Sequence, residues 1–83
     1  MQVLYFAWIK EKVGLSEETV EPPSEANTVS DLITWLAEKS DGHRSAFADR
    51  TLVKAAVDQE HVDHSARIDS ATEVAFFPPV TGG

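Results

Sequence analysis

All four prolines of this 83-residue chain fall in two adjacent pairs, Pro22-Pro23 and Pro78-Pro79, and each pair closes a segment that reads as a strand. Proline lacks a backbone N–H and fixes φ, so a ladder of interstrand hydrogen bonds ends at each pair. The second pair is the stronger constraint. The hydrophobic run Glu73-Val74-Ala75-Phe76-Phe77 stops at it, and the remainder, Val80-Thr81-Gly82-Gly83, has little side-chain bulk. Prolines keep the following residues extended, so residues 78–83 reach roughly 20 Å at about 3.3 Å per residue. Gly82 and Gly83 have no Cβ and would fit a narrow channel in another protein. A Gly-Gly end alone reads as a frayed terminus. Behind a strand and two prolines it reads as a working segment, which divides the chain into a domain at 1–77 and an extended tail at 78–83.

One domain is expected at this length, near the small end for independent folding. Its 42% hydrophobic residues suffice for one modest core but leave little room for a substrate pocket. There is no cysteine, which excludes a disulfide framework and a thiolate zinc site. Any sulfur chemistry must therefore be carried on something other than a side-chain thiol. Met1 leads straight into a strand-like run without a basic region and long apolar stretch, so no signal peptide is expected. No apolar segment approaches the ~20 residues that cross a bilayer, and a soluble, cytoplasmic protein without membrane contacts is expected. The formal net charge is −7, from 14 acids against 7 Lys and Arg. That balance argues against nucleic acid as a partner and against a phosphorylated substrate held by this chain. It suits a basic protein partner, and equally suits solubility alone.

Residues 3–9 (Val-Leu-Tyr-Phe-Ala-Trp-Ile) are rich in β-formers and predict a strand with Val3, Tyr5, Ala7 and Ile9 on one face and Leu4, Phe6 and Trp8 on the other. Lys10 to Ser16 predicts a turn at Gly14, and Glu17 to Glu21 a short polar strand, together an N-terminal hairpin. Thr28 with Asp31 three residues on forms an approximate capping box, and Val29, Leu32, Ile33 and Leu36 make the apolar stripe of a helix ending near Lys39-Ser40. Residues 43–49 are ambiguous, with Phe47 a candidate plug of the core. Residues 51–57 predict a strand with Val53, Ala55 and Val57 inward. A very short strand near Val62 and a turn at 69–72 precede the last strand, 73–77, with Val74 and Phe76 inward. The fold class is α+β: a roll in which one main helix covers one face of a mixed sheet.

A single helix covers a single face, which leaves Leu4, Phe6, Trp8 and Phe77 as a contiguous outer patch suited to a protein interface, unless the loops at 41–49 and 58–66 fold over it. His61 and His64, with Asp58, Asp63 and His43, are a conceivable metal cluster, since an i, i+3 spacing suits ligands on a helix, but the stretch reads as a loop and the spacing meets known ligand patterns poorly, so no metal is assigned. Glu17, Glu18 and Glu21 read as solvated charges of an edge strand. No G-x-S-x-G or comparable nucleophile context is present.

The end Glu73-Val74-Ala75-Phe76-Phe77-Pro78-Pro79-Val80-Thr81-Gly82-Gly83 resembles the terminus of the molybdopterin synthase small subunits, a family of ubiquitin-like sulfur carriers. Val3-Leu4-Tyr5-Phe6-Ala7, the helix at 29–38 and Leu52-Val53-Lys54-Ala55-Ala56-Val57 extend the likeness along nearly the whole chain. The resemblance implies a β-grasp fold and a division of labour. A ubiquitin-activating-type enzyme, using ATP, adenylates the Gly83 carboxylate, and a sulfur donor converts it to a thiocarboxylate (1-thioglycine). The tail, Pro78, Pro79, Val80, Thr81 and Gly82, then enters the large synthase subunit, whose pocket holds the cyclic pyranopterin precursor. The chain itself would be a non-catalytic sulfur-donor subunit with no bound cofactor, in a heterotetramer of two small and two large subunits. Phe6 and Phe77 match positions that pack on the large subunit, with Leu4 and Trp8 beside them. His61 stands where an aliphatic contact residue is expected. A carrier for thiamine thiazole synthesis or tRNA thiolation, a modifier joined to lysines, and a non-catalytic ubiquitin-like binding domain remain open at this point.

Overall fold

Strand β1 (Gln2–Tyr5) runs parallel to β5 (Glu73–Phe77), and this pair forms the middle of a five-stranded mixed sheet. Outside β1 lies antiparallel β2 (Glu17–Thr19). On the other side β3 (Lys54–Val57) pairs antiparallel with β5 and β4 (Glu60–Val62) closes the edge, giving the order β2-β1-β5-β3-β4. Helices α1 (Ala7–Val13), α2 (Val29–Ala37) and α3 (Asp41–Ala46) and a 3-10 turn at Arg50–Leu52 complete the computed structural model, which describes residues 1–79.

The core lies on one side of the sheet. Val3, Tyr5, Ala55, Val74 and Phe76 meet Ile9 of α1, Ala46 and Phe47 at the end of α3, and the α2 stripe Val29, Leu32, Ile33 and Leu36, all buried. The helix at 29–38 is thus as predicted. Its start is a full capping box: Thr28 Oγ1 accepts from the Asp31 N–H at 3.1 Å, and Asp31 Oδ2 accepts from the N–H groups of Asn27 and Thr28. The Asn27 N–H, with Thr28, holds the Asp31 carboxyl below the usual carboxylate range.

The first 16 residues differ from the sequence expectation. β1 stops at Tyr5, and Trp8 and Ile9 belong to a helix. The run of β-formers conceals a break at Ala7, which adopts φ 55° and turns the chain. Beyond it, Lys10, Glu11 and Lys12 are good helix formers, and Ile9 and Val13 share an inward face at i, i+4. Gly14 is no hairpin turn but the helix C-cap, at φ 89° with its N–H on the Lys10 carbonyl at 2.8 Å. β1 and β2 are antiparallel, as a hairpin would make them, with α1 inserted between them. Residues 41–46 resolve into α3, capped by Ser40, and Phe47 does plug the core, 5.1 Å from the Phe76 ring.

Glu17 and Glu21 are exposed as expected; Glu18 is not. A buried tyrosine hydroxyl requires a partner, and Glu18 Oε2 accepts from Tyr5 at 2.7 Å. The same oxygen lies 2.6 Å from His43 Nε2, and His43 Nδ1 lies 2.7 Å from Ser40 Oγ. An ionised carboxylate only accepts, so Nε2 carries a proton. Burial alone would raise the Glu18 carboxyl, but hydrogen bonds from His43 and Tyr5 and the nearby His43 and Lys39 charges outweigh it and leave it lowered. Burial first, then Glu18, pushes the Tyr5 hydroxyl well above its ordinary value. The cluster ties edge strand β2 to α3 and the central strand β1.

Two expected outcomes follow from this packing. A Cβ on Gly42 would overlap the Lys12 carbonyl oxygen and lie 3.3 Å from that of Val13, backbone that cannot yield without parting α1 from α3. Gly42→Ala should cost about 2–3 kcal/mol in urea unfolding. A carboxyl with a lowered folded-state pKa contributes stability above its unfolded value, 4.5 for Glu18, that is lost as pH falls through the folded value. Glu18→Gln should therefore cost about 1–2 kcal/mol at neutral pH and flatten the loss of stability below pH 4.5, measured by denaturant titration across pH.

Candidate functional site

The side of the sheet opposite the core carries the site. Leu4 of β1 lies opposite Ala75 of β5, Ala75 opposite Ala56 of β3, and Ala56 opposite His61 of β4, a single row across four strands. Strand alternation puts Phe77 and Lys54, themselves a register pair, on the same face one step toward the end of β5. The alanines keep the middle of the face low while aromatic rings rise at its end. The His61 and Phe77 rings lie 5.1 Å apart, tilted at 44°. A depression of about 440 Å³ opens between Lys54, Ala55, His61, Val62 and Phe77.

Phe6 sits at the same end. Its N–H bonds the Phe76 carbonyl at 3.1 Å, one step past β1, and Ala7 then turns the backbone toward the core side. Phe6 is left 49% exposed, the most open large hydrophobic side chain among the described residues. The left-handed φ of Ala7 is thus the local device that separates exposed Phe6 from buried Ile9.

The predicted loops do not cover this face. Residues 41–49 pack on the helical side through Phe47. Residues 58–66 form the β3–β4 hairpin and then bond the start of α2, with the Val29 N–H on the Ala66 carbonyl and the Ser30 N–H on that of His64. Among the described residues, then, Leu4, Phe6, His61 and Phe77 come together on one open face. Trp8 does not join them: it lies in α1, half-buried against the core. The period-two assignment failed there because the strand ended first. Sequence reasoning also passed over Lys54 and Ala7. Lys54 was visible as the outward residue beside Ala55, whereas nothing in an alanine announces a positive φ.

Pro78 and Pro79 follow β5 with no regular structure, half-buried, and end its ladder as predicted. The expectations for Val80, Thr81, Gly82 and Gly83 lie outside the described residues. Of the histidines and acids weighed as a metal cluster, all but His61 are engaged separately by hydrogen bonds. His43 bonds Glu18 and Ser40, and His64 Nε2 lies 2.8 Å from the Val53 carbonyl. Asp58 accepts from the N–H groups of Thr72 and Glu73, and Asp63 from Ser65. No described helix is long and apolar enough to cross a membrane.

A mixed five-stranded sheet with parallel first and last strands, a main helix on one face and no described helix on the other defines the β-grasp, or ubiquitin-like, class. Residues 3–83 match the ThiS family, and the chain belongs to it. It is 40% identical over 83 residues to the molybdopterin synthase sulfur carrier subunit of Escherichia coli strain K12, covering 100% of this chain and 99% of that one. The subunits of the same description from Haemophilus influenzae and Mycosarcoma maydis are 30% and 33% identical, covering all of this chain and 99% and 92% of theirs. Among solved structures, one from Pyrococcus furiosus described as a molybdopterin converting factor subunit 1 superposes with TM-score 0.73 at 28% identity, covering 95% of both chains. Small archaeal modifier protein 1 of Haloferax volcanii, at TM-score 0.69 and 23% identity over 96% of this chain and 97% of that one, shares the fold.

The strain at Ala7 is directly measurable. Ala7→Val, a β-branched residue at positive φ, should lower stability by about 1–2 kcal/mol, while Ala7→Gly should hold or raise it. Thermal melts of both variants check the pair, and equal losses would count against the left-handed turn.

Proposed function

We propose that this chain is the sulfur-carrying subunit of a molybdopterin synthase, with the Gly83 carboxyl as the reactive group. The observation that carries this is the full-length likeness to sulfur carrier subunits in a chain whose last strand runs beside an open aromatic face and into Pro78-Pro79-Val80-Thr81-Gly82-Gly83. The chain has no thiol of its own to carry sulfur. Its outer face supplies docking area, and Phe6, Leu4, His61 and Phe77 are the residues to meet the large subunit.

The chemistry follows from the weakness of a carboxylate as an electrophile. Attack of the Gly83 carboxylate on the α-phosphate of ATP, held by a ubiquitin-activating-type enzyme, releases pyrophosphate and forms a mixed anhydride. Sulfur at the sulfide level, delivered by a donor, displaces AMP, so one oxygen leaves with AMP and one sulfur stays as the thiocarboxylate. Threaded into the large subunit, that sulfur attacks a carbon of the bound pyranopterin precursor as an effectively intramolecular nucleophile and displaces an oxygen leaving group. Water then cleaves the acyl–sulfur bond, leaving the sulfur on the precursor and restoring the Gly83 carboxylate. Pro78 and Pro79 keep the thread extended and Gly82 lets it pass a narrow channel. Nucleotide and phosphate binding fall to the partners, consistent with the net charge of −7. The cytoplasm supplies ATP and reduced sulfur, and two carriers with two large subunits make the working heterotetramer.

Deletion of Gly83 should abolish sulfur transfer and leave the melting temperature unchanged. Intact-mass measurement of the carrier purified from its own cells should show about 16 Da more than the sequence mass, the difference for oxygen replaced by sulfur. A large synthase subunit should co-purify. A thiazole synthase or a tRNA-thiolating enzyme in its place would reassign the sulfur, and full activity without Gly83 would remove the terminus from the chemistry.

A further inference from the structure

The outer face is not uniformly apolar, and its polar features are segregated. Glu73 lies toward one end, as the register partner of Gln2, and Glu17 lies on the far β2 edge, as that of Leu4. Lys54 lies at the other end, opposite Phe77, where the tail departs. Most cations of this acidic chain are committed elsewhere. Lys39 faces Glu18, Arg44 pairs with Asp41 and Arg67 with Asp69. Lys12 bonds the Ser45 hydroxyl, and Arg50 bonds the oxygens of Ser30 and Thr34. Lys54 is exposed and forms no ion pair with any described residue. It shares the depression of about 440 Å³ with the exposed imidazole of His61, set against the Phe77 ring. The nearest acid in sequence past His61, Asp63, is occupied by the N–H and hydroxyl of Ser65.

With the outer face docked on the large subunit as proposed above, this notch lies inside or at the rim of the interface. An ammonium shut away there without a counter-charge would oppose binding by its desolvation, whereas a carboxylate beside it makes the contact selective. The notch offers an ammonium, an imidazole N–H donor and an aromatic wall, which together fit an Asp or Glu side chain over a short aliphatic stem. We infer that the Lys54–His61–Phe77 notch receives a carboxylate side chain from the large subunit and so sets which large subunit this carrier accepts. The apolar row from Leu4 to Ala56 supplies area, and the notch supplies discrimination.

The test is titration calorimetry of the chain against the purified large synthase subunit from the same organism, at about 50 and about 300 mM salt, conditions that differ in screening. Lys54→Glu should weaken binding about tenfold or more, and Lys54→Met should weaken it about threefold and remove much of the salt dependence. His61→Leu should also weaken binding. If the docking were purely apolar, that substitution would tighten it, so the sign decides. One Asp→Lys or Glu→Lys change on the large subunit should restore affinity to Lys54→Glu. Because both side chains are exposed, melting temperatures should not move. Phe77→Ala serves as the reference for the face as a whole. Loss of binding with Phe77→Ala alongside unchanged binding with Lys54→Glu would overturn the notch and keep the docking role. No binding by the unaltered chain would remove the docking role and the notch with it.

Discussion

Everything else in the molecule is placed by the parallel pairing of β1 with β5. It joins the first and last strands at the centre of the sheet, with Gln2 opposite Glu73 and Tyr5 opposite Phe76. Parallel pairing requires a long connection, and this one contains every helix and both edges of the sheet. Inward, it brings Tyr5 and Phe76 together with ring centres 6.3 Å apart, the pair onto which Phe47 closes. Outward, it sets Leu4 beside Ala75. At its end the bond from the Phe6 N–H to the Phe76 carbonyl puts both outer phenylalanines where the chain leaves the fold. Core, outer aromatic face and the end of the last strand therefore share one register.

The fold was legible where the periodic signal was long or punctuated. The stripe Val29, Leu32, Ile33, Leu36 with the Thr28–Asp31 box gave α2 nearly to the residue, and Pro78 gave the end of β5. The chain was misread where a short element began without punctuation. The run from Val3 to Ile9, rich in β-formers, carried no sign that the backbone reverses at Ala7, because that conformation is imposed by packing and not by alanine's preferences. Trp8 was lost from the outer patch for the same reason, while Leu4, Phe6, His61 and Phe77 were retained.

Glu18 was illegible for a different reason. In the sequence it is one of three nearby acids on an edge strand, and only the three-dimensional neighbours separate it from Glu17 and Glu21. Tyr5, two residues from Val3 on the inward face, needed a partner for its hydroxyl, and the register Val3 opposite Glu18 supplied one from the adjacent strand. A buried hydroxyl in the sequence signalled that some acid would be drawn in. Which acid depended on the register, and the register depended on α1.

Asp58 bears on where the last strand begins and ends. It sits at φ 49° in the two-residue β3–β4 turn with Gln59 at φ 72°, and its carboxylate accepts from the Thr72 and Glu73 N–H groups while its own N–H bonds the Glu73 carbonyl. The start of β5 is thereby clamped to a hairpin tip. A slip of one residue would exchange the faces of Phe76 and Phe77 and shift everything downstream by about 3.3 Å. Asp58 acts as a zero mark, from which the point where the last strand ends is fixed.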